Sequence, residues 1–275
     1  EEEEDDEEKL HRTAPAQEPP RTVVMLFFAA GMVVLFLILY MLPPLRSVPD
    51  GDKFVYKPTT ARELEFDKNV LLQYRDLHSE RLLLGMCAVY ILTQTFCLPG
   101  SGTTLNLLAG ALYTEFMPYG EFFVAMPFCM LSTAVGALMC WALSFLTARD
   151  LVTRAFPEKV RWLRKLVADN RSSAPILFVS LRMSPIVPAY FLNIAAPLTP
   201  LPPLHFFFAT LAGCAPHAFV TVKTGATLSR LHPGESLLQH NLGQLLIMLL
   251  LAILVCFLPS LTKRLHNRIV GQRDA

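Results

Sequence analysis

The sequence predicts an all-α polytopic membrane protein, built from transmembrane helices and two facing, proline-broken re-entrant hairpins. The chain has 275 residues, of which 53% are hydrophobic and only 17% are charged, whereas about a quarter of the residues in a soluble domain are charged. Long runs without Lys, Arg, Asp or Glu separate the charges: 23–42, 82–114, 122–148, 183–222 and 241–262. A helix needs about 20 mostly apolar residues to cross the hydrocarbon core. Several such runs in one chain indicate membrane spans and exclude a soluble core.

The two ends of the chain are polar. Residues 1–8 are all acidic, and a block of like charges repels itself and stays unfolded. We therefore expect an acidic disordered tail over residues 1–22, followed by a first transmembrane helix over residues 23–42. Residues 263–275 carry four basic side chains and form the predicted basic C-terminal tail.

Polar and apolar stretches alternate between these ends. Residues 43–80 form a polar loop, and their 64–77 portion carries apolar side chains at helical spacing, which predicts a short amphipathic helix. Further spans are predicted over 121–147, 204–229 and 241–262.

A basic amphipathic linker is predicted over residues 148–173. Its apolar residues recur at helical spacing, and Arg and Lys lie between them. Such a helix either lies on the surface of an anionic leaflet or is an ordinary solvated connector. The sequence leaves both interpretations open.

Two apolar segments contain too many helix-breaking residues for straight helices. The first, about 97–113, includes Pro99 and Gly100, and the second, about 176–197, carries several prolines. Irregular backbone at membrane depth is tolerated only where protein buries it or water reaches it. Paired interrupted segments in transporters indicate the substrate site. We predict two re-entrant hairpins that meet and line a polar groove; two proline-kinked spans are the alternative.

Two cations, Arg182 and Lys223, lie at predicted membrane depth, with no Asp or Glu between residues 172 and 233. A charged side chain at the centre of a span costs about 2.5–3.5 kcal/mol on insertion scales, so it must face a cavity, a polar partner or an anion. A lipid headgroup supplies a phosphate, which a guanidinium binds bidentately. We predict that Arg182, helped by Lys223, transiently holds lipid phosphate. The alternatives are an Arg182 that caps a broken helix and a Lys223 that snorkels.

Smaller polar and flexible residues complete this predicted groove. The polar side chains expected to make it hydrophilic are Gln94, Ser101, Asn106, Ser184 and Asn193. The glycines expected to permit close helix approach are Gly110, Gly136, Gly213 and Gly225.

Several classes of chemistry have no support in the sequence. The six cysteines lie in apolar runs without metal-ligand spacing, so neither a zinc site nor a disulfide framework is expected. They are interpreted as packing residues. No nucleotide-binding loop, nucleophile elbow or zinc-protease motif occurs, so we expect neither an enzyme nor an ATP-driven pump. We expect no cofactor, no metal and no nucleic-acid partner.

Phe178-x-x-x-Arg182-x-x-Pro185 is one of several linked motifs that follow one another along the chain. In this order the motifs resemble the signature of the DedA family, also called the VTT-domain or SNARE-associated Golgi protein family. The likeness covers about residues 80–262 and is greatest to the stasimon-like eukaryotic branch. The hinge and motif positions that carry it are Pro99, Gly100, Gly110, Gly136, Phe178, Pro185, Pro188, Pro216 and Gly225.

The resemblance implies a VTT-like membrane domain over residues 81–262 with two facing re-entrant hairpins. It also implies residence in the endoplasmic reticulum and energy-independent phospholipid scrambling, in support of autophagosome formation and lipid mobilisation. The implied partners are phospholipids and the membrane, with homo-oligomers or other membrane proteins left open.

Two other functions remain open on the sequence. An ion- or proton-coupled secondary transporter would need a titratable group, and His205 and His217 are the histidines of the predicted spans. Bacterial relatives carry acidic residues near the first hairpin, whereas this chain has Gln94 there, which argues against proton coupling. A membrane scaffold without transport activity is the second alternative.

Overall fold

The computed structural model describes residues 21–54, 61–184 and 187–230, and every regular element in these ranges is helical. The α-helices in chain order are α1 Arg21–Met41, α2 Ala61–Thr95, α3 Ser101–Tyr113, α4 Met126–Leu143, α5 Arg149–Ala155, α6 Pro157–Asp169, α7 Ala174–Met183, α8 Ala189–Ala195 and α9 Pro203–Arg230. Short 3-10 helices cover Leu45–Ser47, Gly51–Lys53, Arg171–Ser173 and Ala196–Leu198, and π-helical turns at Glu121–Ala125 and Ser144–Ala148 extend α4. The predicted all-α class is confirmed.

Within the described ranges, three helical stretches are long and apolar enough to cross a membrane. They are Phe28–Ser47, Glu121–Ala148 and Pro203–Arg230. The chain is therefore an integral, polytopic membrane protein, as predicted. Three predicted segments lie outside the described residues: the acidic tail up to the start of α1, the span 241–262 and the tail 263–275.

Helix α2 joins the predicted amphipathic segment 64–77 to the apolar helix that follows it. The backbone leaves helical geometry at His78, with φ −134° and ψ 34°, so the two parts meet at a kink. A kink without a loop keeps the amphipathic part beside the membrane helices.

Two cations of this amphipathic part cap the ends of other helices. The Arg75 guanidinium donates to the Leu112 carbonyl near the end of α3, and Lys68 Nζ donates to the Ser229 carbonyl near the end of α9. The last carbonyls of a helix have no partner inside it. These contacts satisfy two of them and tie α2 to both helices.

Helix α9 is the central element, since it packs against α3, α4 and α7. At its crossing with α3, a Cβ atom on Gly110 would lie 2.0 Å from the Val222 carbonyl oxygen. A Cβ atom on Gly225 would lie 2.0 Å from the Leu107 carbonyl oxygen. Each helix thus presents a glycine to the other's backbone, and the two backbones touch.

Two further glycines allow close contacts beside Gln94 and Arg182. A Cβ atom on Gly136 of α4 would lie 2.5 Å from Gln94 Cβ of α2. A Cβ atom on Gly213 of α9 would lie 2.7 Å from Arg182 Cβ of α7. The backbones beside Gln94 and Arg182 are therefore held tightly against α4 and α9.

Part of the apolar face of the basic linker is buried inside the protein. Val160, Leu163 and Val167 of α6 are buried in a cluster that includes Leu192 of α8. Arg164 Nε donates to the Leu198 carbonyl at 3.0 Å. These three apolar side chains are therefore not free to insert into lipid, whereas Trp162 of the same helix is 46% exposed. The leaflet interpretation of this helix stays a prediction.

Candidate functional site

A cavity of about 580 Å³ lies where the two broken segments meet. One wall is the turn between α2 and α3 at Pro99 and Gly100. A second wall includes Ser184 and Pro188, which follow α7 and precede α8, and the third is α9 around Pro216. Both segments therefore contribute to one cavity. Whether they re-enter the bilayer stays a prediction.

The first broken segment is a helical hairpin. Gly100 has φ +79°, a left-handed conformation that glycine adopts without a steric penalty. Gly102 of α3 faces Gln94 of α2, and one helical turn further from the break Asn106 faces Tyr90, so the two helices run antiparallel. The loop thus turns the chain back beside α2.

A hydrogen-bond network crosses the base of the cavity. Tyr90 Oη donates to Asn106 Oδ1 at 2.7 Å and accepts from Thr133 Oγ1 at 3.0 Å. Asn106 Nδ2 donates to Thr221 Oγ1 at 2.9 Å, and Asn106 is only 2% exposed. The network connects α2, α3, α4 and α9, and it fixes Asn106 as a positioning residue. Buried polar networks with satisfied partners hold their elements in one arrangement.

Arg182 reaches the cavity from the last turn of α7. Its Nη2 donates to Asn193 Oδ1 of α8, and its Cζ lies 5.1 Å from the Phe206 ring centroid, in cation–π range. Its buried Nε has no hydrogen-bond partner within the described part of the chain. Among the described residues that line the cavity, none is Asp or Glu. The positive charge therefore has a positioning partner and no compensating carboxylate.

Phe178 and Phe206 fix the orientation of α7 on α9. Phe178 is fully buried, and its ring meets that of Phe206 edge-on with a centroid distance of 6.1 Å. Because Phe178 precedes Arg182 by one helical turn, both side chains lie on the face of α7 that packs on α9. This aromatic contact fixes the position of the Arg182 guanidinium at the cavity.

The structure brings most of the predicted site residues together. The predicted residues that line the cavity are Gln94, Pro99, Gly100, Asn106, Arg182, Ser184, Pro188, Asn193 and Pro216. Ser101 does not line it. Its hydroxyl donates to the Leu98 carbonyl of the same turn at 2.8 Å. Pro185 lies outside the described residues.

Lys223, predicted to lie in the groove, is not among the described residues that line the cavity. Its Nζ forms an ion pair with Glu121 at 2.8 Å, and Glu121 also accepts from Thr114 Oγ1 at 3.1 Å. Along α9, Lys223 stands three residues beyond Val220, which lines the cavity, and this amounts to about 4.5 Å at 1.5 Å per residue. The sequence did not reveal this partner, because Glu121 lies 102 residues from Lys223 along the chain and is near it only in space.

Among the lining residues that sequence reasoning missed are Tyr90 and Thr133. A positional signal for each was present. Tyr90 precedes Gln94 by four residues and Thr133 precedes Gly136 by three, so each shares a helix face with a residue already singled out.

Comparison with known proteins places the chain in a family. Residues 98–227 match the VTT domain. The chain is 32% identical over 207 residues to an uncharacterized membrane protein of Arabidopsis thaliana, covering 75% of this chain and 68% of the relative. It is 34% identical over 199 residues to Transmembrane protein 41B of Danio rerio, with 72% and 68% covered. No solved structure matches the chain. On these matches, the chain belongs to the VTT domain family.

Proposed function

We propose that this protein is an energy-independent phospholipid scramblase of the endoplasmic reticulum membrane, supporting autophagosome formation and lipid mobilisation. Headgroups would move through the cavity between the two broken segments while acyl chains stay in lipid. The observation that carries the proposal is Arg182, a cation in a cavity whose described lining contains no carboxylate. The location and the cellular role rest on the family resemblance.

A phosphodiester fits the chemistry of this site. A guanidinium forms charge-assisted hydrogen bonds with phosphate oxygens, and these bonds are roughly twice as strong as neutral ones. Asn193 and the Phe206 ring hold the guanidinium in place, so less rotamer freedom is lost when phosphate binds. Binding must remain weak enough for release, as in any conduction path. No bond in the lipid is broken, so the proposal assigns no catalytic residue.

The proposal predicts that the purified protein moves phospholipids between leaflets without nucleotide. Liposomes with fluorescent phospholipids in both leaflets would be treated with dithionite, which quenches only accessible headgroups. Protein-free liposomes should lose about half of their signal, because a symmetric bilayer (about 30 Å of hydrocarbon) shields the inner leaflet. Liposomes containing the protein should lose clearly more. A loss limited to the outer leaflet would reject the scramblase and favour the scaffold.

A proton-coupled carrier is the second candidate, and one observation favours it. His217 lines the cavity, and its Nε2 lies 3.4 Å from Thr103 Oγ1. A histidine is the side chain whose charge changes near neutral pH. His205 lies at the exposed start of α9, outside the cavity lining.

The same liposomes distinguish the two candidates. An energy-independent scramblase should move lipid at the same rate with and without an imposed pH gradient, and His217→Ala should match wild type. A rate that follows the gradient and is lost in His217→Ala would identify a carrier instead. His205→Ala is the matched control, because it removes the other span histidine without touching the cavity.

A further inference from the structure

A cysteine in the turn after α2 and a cysteine of α4 meet at the wall of the cavity. Cys97 Sγ, in the turn after α2, lies 3.3 Å from Cys140 Sγ of α4. A disulfide bond is about 2.05 Å long, so the two sulfurs need to approach by about 1.3 Å to bond. Two other cysteines bond differently: Cys87 Sγ contacts Ser132 Oγ, and Cys214 Sγ donates to the Leu211 carbonyl.

The packing of α2 on α4 produces this sulfur pair. The two helices are in close contact at Gly136, where an added Cβ atom would lie 2.5 Å from Gln94 Cβ and 2.9 Å from the Ile91 carbonyl oxygen. Cys97 follows Gln94 by three residues, in the turn that ends α2, and Cys140 follows Gly136 by four residues along α4. The tight α2–α4 contact, together with this turn, brings the two sulfurs together.

The two thiols differ in access. Cys97 is half-buried and lines the cavity that also contains Arg182 and Asn193. Cys140 is 3% exposed and lies behind it. This is the arrangement of a reactive thiol with a resolving partner, in which accessibility selects the first thiol to react.

We propose that Cys97 and Cys140 form a redox-sensitive dithiol, whose disulfide locks the first broken segment against α4. The oxidant is a small-molecule disulfide of the glutathione class that enters through the cavity. Cys97 sulfur attacks one sulfur of the oxidant, whose S–S bond breaks and releases one thiol. Cys140 sulfur then attacks the Cys97 sulfur of the mixed disulfide and releases the second thiol. The two cysteine thiols lose two electrons and two protons, and both protons leave on the released thiols.

The disulfide would act at a strained position. Cys97 has φ +54°, which is uncommon for a residue with a side chain. The next residues, Pro99 and Gly100, form the wall of the cavity facing Arg182. A covalent link from this turn to α4 holds that wall in one position. Under the proposed function, on which this last step rests, lipid passage then slows.

Peptide mapping tests the dithiol without any transport measurement. The purified full chain would be treated with oxidised glutathione, blocked with a thiol reagent, digested and analysed by mass spectrometry. We expect a Cys97–Cys140 cross-linked peptide in wild type and in Cys87→Ser, and its loss in Cys97→Ser and in Cys140→Ser. Absence of that peptide from wild type, or Cys140 cross-linked to a different cysteine in its place, would overturn the proposal.

Two further readouts test the lock. Backbone hydrogen exchange over residues 96–104 should slow several-fold on oxidation and recover with dithiothreitol, whereas Cys97→Ser should not respond. Scrambling by the oxidised protein should also slow several-fold and recover on reduction. A disulfide that leaves both exchange and scrambling unchanged would refute the lock. Reduced protein that does not scramble would instead reject the proposed function, while the exchange result still decides the lock.

Discussion

Replacing Gly110 or Gly225 with alanine is expected to destabilise the protein by about 3 kcal/mol, since each added methyl group overpacks a close crossing. In either variant the new Cβ atom would lie 2.0 Å from a carbonyl oxygen of the facing helix. A backbone oxygen cannot rotate away as a side chain can, so α3 and α9 would have to separate. Denaturant unfolding in detergent micelles, followed by far-UV circular dichroism, measures the loss.

Gly102→Ala is the matched control for this prediction. Gly102 lies on α3 with Gly110, but its Cβ would meet Gln94 Nε2, the mobile end of a side chain, at 2.9 Å. Alanine also has the higher helix propensity, by about 1 kcal/mol. Gly102→Ala should therefore unfold near the wild-type midpoint. Equal midpoints for Gly102→Ala and Gly110→Ala would show that the α3–α9 contact is not close.

The second large effect is expected from breaking the Glu121–Lys223 ion pair. The side chains of Glu121 and Lys223 are only 6% and 19% exposed. Glu121→Ala leaves a largely buried ammonium without its carboxylate, and removing one partner of a buried pair costs about 3–5 kcal/mol. The unfolding midpoint of Glu121→Ala should fall accordingly, and that of Lys223→Ala should fall as well.

A double variant separates stability from lipid handling. Glu121→Leu combined with Lys223→Met removes both charges and fills similar volume, and such replacements are often neutral or stabilising. The double variant should recover most of the lost stability and scramble at the wild-type rate. If it folds like wild type but no longer scrambles, Lys223 acts on lipid, as the sequence alone suggested.

The broad architecture followed from charge-free runs and from helix breakers. Few soluble helices avoid charge over about 20 or more residues, so long charge-free runs indicate membrane spans. The runs 122–148 and 183–222 do contain α4 and most of α9. Pro99 and Gly100 placed the break between α2 and α3, because neither residue continues a helix well. These signals are local, so a single sequence is enough to show them.

Contacts distant in sequence could not be predicted. The partner of Lys223 is Glu121, 102 residues away, and it belongs to the π-helical turn that opens α4. The capping of α9 by Lys68 spans 161 residues. Both contacts depend on how the helices pack, which sequence periodicity does not specify. Cys97 and Cys140 likewise looked like unrelated packing residues until α2 and α4 were placed together.

The most direct test of the account compares Arg182→Ala with wild type in the dithionite assay at equal incorporation. Arg161→Ala is the matched control, because Arg161 is exposed on α6 and lies outside the cavity lining. A hydrogen bond to a charged group contributes about 2 kcal/mol. Loss of such a bond between Arg182 and lipid phosphate would lower the scrambling rate about 30-fold.

We expect the scrambling rate of Arg182→Ala to fall about 30-fold while its fold stays that of wild type. Arg161→Ala should scramble at the wild-type rate. Equal rates for wild type and Arg182→Ala would contradict the account, and would leave Arg182 as a residue that only joins α7 to Asn193 of α8.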